Sequence, residues 1–395
     1  MFSSRLPASL APTPLAAAVA AARRDRAAHL LDLTISNPTT AGFAYPETLV
    51  AAWSNADALR YAPEARGLRR AREAVADWYA SVGDPVDPGA LVLTASTSEA
   101  YSHLFKLLCE PGDEVLVPCP SYPLFEHLAR LDAVRAVHYT SRDIGRWALD
   151  ERDLRAALTP RTRAVVVVAP NNPTGHVPTP AEWQELGDVC RRHRLALIVD
   201  EVFAAYPLTA DGRPPAAPDH VHVPTFDGVL QFRLNGLSKL VGLPQAKLGW
   251  IRVSGPDDVS RPAMEALELV ADTYLSVSTA VQVALPTLLR DGAVVREAIR
   301  ARLVRNLARA RAALAGTALD VRLPDGGWTV VLRVPIVGEA DDLALALLAR
   351  DVIVHPGYFY DLPHDGYLVL SLLTPEQDVQ AGLETLCSLP MLQLT

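Results

Sequence analysis

This sequence predicts an α/β fold, with a large, mostly parallel sheet flanked by helices and a smaller α+β portion beside it. Three observations carry the prediction. Between about residues 90 and 255, short β-rich runs alternate with helical segments, the pattern of a parallel sheet with helical crossovers. Several of those runs are apolar throughout, as strands covered on both faces are. Beyond them the pattern changes to one long helix followed by two well-separated strands.

Taken in order, the predicted strands are residues 91–95, 114–118, 164–169, 196–199, 229–234 and 248–253. Residues 295–316, rich in Arg, Ala and Leu, read as a long helix, and 329–334 and 367–372 as strands of the smaller portion. The expected division is a large unit over 46–289 and a small unit built from 1–45 and 290–395. Internal repeats and low-complexity linkers are absent.

Half of the 395 residues are apolar, enough for a sizeable core. The net charge of −8 argues against nucleic acid or an anionic membrane as partner. The four cysteines are scattered, without a Cys-x-x-Cys pair or a metal spacing, which fits a reduced, cytoplasmic protein with no metal. The apolar run 15–21 is mostly alanine and its positive charges, Arg23 and Arg24, follow it; it reads as the start of a surface helix rather than a signal-peptide core. No stretch approaches the ~20 apolar residues of a membrane span.

In open α/β sheets ligands bind at the carboxyl ends of the strands. Here each of those ends carries polar groups. After 91–95 come Ser96-Thr97-Ser98-Glu99 and a helical run. Ser96 with Glu99 fits a capping box, so the amides of Thr97 and Ser98 would point out of a helix N-terminus, a ready anion site. After 114–118, Tyr122 is held between Pro120 and Pro123, where it could stack on a planar ring. Asn171-Asn172-Pro173-Thr174-Gly175 follows 164–169 and makes a tight turn whose Asn amide can donate to a phenolate. Asp200 and Glu201 follow 196–199; a carboxylate there is costly unless it meets a cation, such as a protonated pyridine nitrogen. Each has a plainer reading too: a capped helix, a turn tyrosine, an ordinary turn, a structural salt bridge.

Lys239 comes after 229–234, in Asn-Gly-Leu-Ser-Lys, with Lys247 eight residues on. It is one of only three lysines in an arginine-rich chain. Arginine stays protonated, whereas a buried lysine can lose its proton and form an imine. Lys247 can pair with a phosphate. Together these ends supply a phosphate site, a ring stacker, a phenolate donor, a pyridinium partner and an imine-forming amine.

With those residues in place, the chain resembles the fold-type I pyridoxal-phosphate enzymes of the class I/II aminotransferase superfamily, over about residues 31–371. The most specific pieces are Asn171 to Gly175, Asp200-Glu201-Val202, and Ser238-Lys239 with Gly242-Leu243-Pro244. The resemblance implies that Lys239 holds pyridoxal 5'-phosphate as a Schiff base, Asp200 pairs with its ring nitrogen, Asn172 bonds the ring oxygen and Tyr122 stacks on the ring. Thr97, Ser98, Ser238 and Lys247 would bind the phosphate. Tyr61 matches a tyrosine that reaches the phosphate of a neighbouring subunit, which implies a homodimer. Ser36 and Asn37 align with a substrate loop; Tyr274, Tyr358 and Phe359 are further candidates for the substrate pocket.

Three departures qualify the resemblance. Phe203 stands where the family usually has a tyrosine donating to the ring oxygen. Lys247 replaces a phosphate-binding arginine, keeping the charge but not the bidentate fork. Val369, in Leu-Val-Leu-Ser, stands where the family has an arginine that clamps the substrate carboxylate. Either another arginine, Arg233 or Arg333, takes that role, or the substrate has no carboxylate there.

The expected activity is a ping-pong transfer of an amino group from an amino donor to a keto or aldehyde acceptor, with Lys239 as base and acid. The alternative of a lyase, decarboxylase or cyclase keeps the cofactor and changes the reaction. A remoter one is a non-catalytic module that merely binds the cofactor; the short N-terminal stretch has no helix-turn-helix pattern or basic patch to support it.

Overall fold

Residues 165–168 are four consecutive valines, and such a β-branched run suits a strand with cover on both faces. The computed structural model, which describes residues 2–7, 9–209, 220–339, 341–364 and 366–392, sets them inside an eight-stranded sheet. Its strands are β1 (Leu91–Thr94), β2 (Glu114–Cys119), β3 (Arg135–Asp143), β4 (Trp147–Leu149), β5 (Thr162–Val168), β6 (Ala196–Asp200), β7 (Gln231–Gly236) and β8 (Gly249–Ser254). They lie in the order β1-β8-β7-β6-β5-β2-β3-β4. The central pairs β7–β6, β6–β5, β5–β2 and β2–β3 are parallel; β1–β8, β8–β7 and β3–β4 are antiparallel.

Alternate side chains along these strands enter two separate cores. Val166, Ile198 and Phe232 pack on one face with Ala100, Leu104 and Leu267, from the helices Thr97–Leu108 and Asp257–Tyr274. Val165, Val167, Leu197 and Val199 pack on the other with Trp183, Leu186 and Val189 of the helix Pro180–His193. A second sheet is antiparallel, in the order β9 (Asp320–Arg322), β10 (Thr329–Arg333), β12 (Tyr367–Ser371), β11 (His355–Pro356). The helix Ala293–Leu314 packs against the helix Glu376–Cys387, and Leu31–Asp32 pairs in parallel with Val352–Ile353.

The α/β architecture is as predicted, with instructive differences at the margins. Asp200 and Asn235-Gly236 belong to strands rather than to the loops after them. The long helix begins two residues earlier than expected, and the apolar run near the N-terminus lies within the helix Pro14–Arg26, capped by the Thr13 hydroxyl. The hairpin β3–β4 escaped the sequence reading because β3 mixes exposed charges such as Arg135 and Arg142 with few buried positions. No helix among the described residues is long and apolar enough to cross a membrane.

Candidate active site

Strand direction decides which ends meet. β8 runs back antiparallel between β7 and β1, so β1 points the same way as β7 and the parallel strands beyond it. Thr94 at the end of β1 and Gly236 at the end of β7 both face Gly249, the first residue of β8. Residues 96–98, Ser238-Lys239 and Lys247 therefore converge on the edge where β5 and β6 deliver Asn172 and Asp200.

The helix α1 (Thr97–Leu108) starts at that edge. Ser96 caps it, accepting the Glu99 N–H at 3.1 Å, while the Glu99 carboxylate accepts the Ala95 N–H at 2.6 Å rather than that of the cap residue. The first amides of a helix have no intrahelical acceptor, so Thr97 and Ser98 present theirs outward. A side chain at Gly249 would come within 3.2 Å of the Thr97 nitrogen; its absence keeps the approach to these amides open.

Asp200 ends an all-buried strand. Its Oδ1 accepts the Val202 N–H and its Oδ2 the Tyr101 hydroxyl, each at 3.1 Å. Burial pushes the carboxyl up to about 6, against the pull of those two donors and of Lys239. Lys239 is perturbed in the complementary sense: burial lowers its amine, Asp200 opposes the shift and Lys247 adds to it. It lies on the single turn Leu237–Leu240, whose position is fixed by Tyr206 donating to the Lys239 carbonyl at 2.6 Å and Tyr45 donating to the Gly242 carbonyl at 2.7 Å. Ser238 is half-buried beside it, and Lys247 is exposed in a left-handed conformation just before β8.

The Asn172 turn is closed from within and braced from outside. Gly175 donates to the Asn171 carbonyl at 2.8 Å and Asn171 to the His176 carbonyl at 2.9 Å. The loop leading to β10 supplies the brace: Asp325 donates to the Gly175 carbonyl at 3.0 Å, and Thr329 to the Pro173 carbonyl at 2.8 Å. Gly175 has φ +70°, and a Cβ there would fall 2.2 Å from that of Pro324. His176 lies buried between Asp325 at 3.6 Å and Glu182 at 3.5 Å. Burial alone would depress its imidazole, but the two carboxylates outweigh it and hold the ring above its ordinary value. Asn172 Oδ1 is buried with no protein partner.

The family profile described as Aminotransferase class I and II matches residues 28–386. The chain belongs to this family. Among curated relatives it is similar to the glutamate-pyruvate aminotransferase AlaA of Escherichia coli (strain K12), 33% identical over 66% of this chain and 63% of that protein. The chain thus spans less than two thirds of the length of that relative. It is also similar to the alanine aminotransferase of Mycobacterium tuberculosis (strain ATCC 25618 / H37Rv), 30% identical over 90% of this chain and 79% of that one. Among solved structures, an aminotransferase from Escherichia coli superposes with a TM-score of 0.83 at 25% identity, over 98% of this chain and 97% of that one. A Thermus thermophilus aspartate aminotransferase single mutant gives 0.82 at 26% identity, over 98% and 99%.

Within this class I and II aminotransferase fold, the remaining candidates are spread more widely. Tyr122 is half-exposed next to Ser121, whose N–H donates to the Tyr360 carbonyl at 3.1 Å. Tyr61 is 80% exposed. Tyr274 stacks on His103 with ring centroids 5.5 Å apart. Ser36 is exposed, and Asn37 caps the turn Pro38–Thr40 by accepting the Thr39 N–H at 3.1 Å. Tyr358 donates to Asp341 at 2.7 Å, and Phe359 stacks on His355 at 4.7 Å. Phe203 packs edge-on against Trp328 at 5.4 Å.

Two residues considered for carboxylate recognition lie in the interior. Val369 is only 1% exposed, facing Val331 and His355 across the sheet and clustered with Trp147, Tyr360, Leu362 and Tyr367. Trp147 of the unforeseen hairpin helps to cover it. Arg233 is no carboxylate clamp either: its guanidinium lies 2.6 Å from both Glu201 and Asp84, inside a buried network that includes Arg252, Tyr79 and Trp250. Arg333 is exposed on β10. Sequence reasoning missed Tyr101, Tyr206, His176 and Thr329. Only Tyr101 left a signal, being four residues after Thr97 and so on the same helix face.

Proposed function

We propose that the chain is a pyridoxal-phosphate-dependent aminotransferase in which Lys239 holds the cofactor and moves the protons of the reaction. The observation that carries this reading is the pairing of a buried carboxylate, Asp200, with a half-buried amine of lowered basicity, Lys239, on one strand-end edge beside an open helix N-terminus. The residues present fit the cofactor. Asp200 offers a buried carboxylate for the ring nitrogen, and Gly249 leaves the Thr97 amide accessible. Thr97, Ser98, Ser238 and Lys247 would hold the phosphate, Tyr122 would cover the ring, and Asn172 would meet its oxygen.

When bound, pyridoxal phosphate supplies an electron sink for the bonds at the carbon bearing the amine. Ionised Asp200 would favour a proton on the ring nitrogen, which a neutral acid would not. Lys239 Nζ, with its lowered basicity, takes the proton from Cα of the donor and returns one to the carbonyl carbon of the acceptor. Donor and acceptor use the same site in turn, which makes the kinetics ping-pong. With Phe203 in apolar contact with Trp328, Asn172 is the donor left for the ring oxygen.

The relatives named for alanine, glutamate and pyruvate support small amino and keto acids as substrates. Val369 and Arg233 take no part in recognising their carboxylate, so that recognition is atypical. Tyr61, with the exposed Leu59 and Leu269, supports a homodimer in which Tyr61 serves the other site. Four free cysteines fit the cytoplasm.

The test is a single-turnover half-reaction with alanine, glutamate and matched amines lacking the carboxylate, following the cofactor's visible absorbance. Stoichiometric pyridoxamine phosphate is expected with wild type and none with Lys239→Ala. Release of ammonia or carbon dioxide with the cofactor unchanged would instead mark a lyase or decarboxylase. Conversion only of amines without a carboxylate would show that the buried Val369 goes with a different donor class.

A further inference from the structure

Tyr101 is buried one turn into α1, on the face that also carries Thr97. The helix that offers its amides at the sheet edge therefore also sends a hydroxyl down to the last residue of β6, where it meets Asp200 Oδ2 at 3.1 Å. The ring has little freedom to leave. Phe125 abuts it edge-to-face at 5.2 Å and Phe105 is tilted against it at 6.0 Å. Burial and the adjacent carboxylate hold the hydroxyl well above the ordinary phenol range, so it remains a donor at any pH the protein meets.

We propose that Tyr101 is a positioning residue that orients Asp200 and keeps its carboxylate ionised for the pyridine nitrogen of the cofactor. The inference rests on the cofactor reading above and goes beyond it, because Tyr101 acts only through Asp200. The charged and titratable groups facing Asp200 are few: Lys239 from the turn after β7, which favours ionisation, and Glu201, the next residue in the chain, which opposes it. Tyr139 of β3 also raises the Tyr101 hydroxyl electrostatically. Among the described residues, Tyr101 is the side-chain hydroxyl bonded to this carboxylate; the other oxygen has only the backbone N–H of Val202. An isolated buried carboxylate takes up a proton readily, so losing one of two donors shifts the balance toward the neutral acid.

The experiment is an equilibrium titration of the full-length apoprotein with pyridoxal phosphate, by absorbance and fluorescence, at a series of pH values, for wild type and Tyr101→Phe. The acid limb of the affinity profile is expected to move up by about one pH unit in the variant, which is about tenfold weaker binding at the acid end, with the curves converging at the alkaline end. Fluorotyrosine placed at position 101, a stronger donor, should move the limb the other way, and it decides the matter if the phenylalanine variant does not fold. Superimposed profiles would overturn the role, and so would a loss of equal size at every pH, which marks packing alone. A wild type that takes up no cofactor would sink the aminotransferase reading and this inference with it. A wild type that binds and transaminates while the variant profile is unchanged removes only Tyr101.

Discussion

Replacing Arg233 by Met separates two readings of the most deeply buried cation in the sheet. Its guanidinium lies 2.6 Å from Glu201, which is 0% exposed, and 2.6 Å from Asp84. The substitution leaves Glu201 with the Tyr79 hydroxyl but no cation, in a place water does not reach. Removing one partner of a buried pair costs about 3–5 kcal/mol, because the abandoned charge cannot be hydrated. With an unfolding entropy of about 2.1 cal/mol/K per residue over the 395 residues, that is a fall in Tm of about 4–6 °C. Calorimetry of the apoprotein would measure it, with the exposed Arg333→Met as a control expected within about 0.5 kcal/mol of wild type. Adding Glu201→Leu to Arg233→Met should restore much of the loss, since an apolar pair carries no stranded charge. An Arg233→Met protein with an unchanged Tm and a raised KM for amino acids would refute the assignment and restore Arg233 as the carboxylate clamp.

Three further outcomes follow from the site. The carboxyl of Asp200 is raised to about 6, so the folded apoprotein takes up its proton before the unfolded chain does; this contribution to stability is complete below about pH 4 and is lost as pH rises through about 6. Asp200→Asn should therefore stabilise the apoprotein by about 2–3 kcal/mol at alkaline pH in urea unfolding while cofactor affinity collapses. His176, held above its ordinary value by Asp325 and Glu182, stabilises the turn while protonated; His176→Leu should cost more stability in mildly acidic than in alkaline buffer, read by thermal melts at both. Gly175→Ala, with φ +70° and Pro324 in the way, should lower stability by at least about 1–3 kcal/mol and weaken cofactor binding through the displaced Asn172.

How much of this was legible in the sequence depended on how local each signal was. The four valines of β5, the Asn-Pro-Gly punctuation of the Asn172 turn and the rare Lys239 are local facts; the valines identified the sheet, and the turn and the lysine pointed to the edge proposed here as the site. The capping of α1 was half legible: Ser96 behaved as expected, whereas Glu99 chose the Ala95 amide. What stayed hidden was tertiary. Nothing near Arg233 in the chain announces Asp84, and nothing near Asn172 announces the brace from Asp325 and Thr329. Val369 looked like a missing ligand because its neighbours in the sequence are strand residues; that Trp147 and Tyr360 bury it depends on a hairpin too polar to be recognised alone.

The reversed strand β8 has a consequence for how the protein comes into being. Its six residues, Gly249–Ser254, are the last of the sheet to be synthesised, yet they lie between β7 and β1, the first. Until they insert, β1 has no strand partner, and α1 is held to the sheet only by its own packing on β5, β6 and β7. β1 thus stays outside the sheet while the growing chain is shorter than about 254 residues, however well the parallel core has formed. Contacts of such long sequence separation form late and slowly. A nascent chain stalled before β8 would carry two open strand edges, an invitation to mispairing with its neighbours. Protection of the β1 backbone amides during translation would accordingly report the insertion of one strand rather than the gradual growth of the fold.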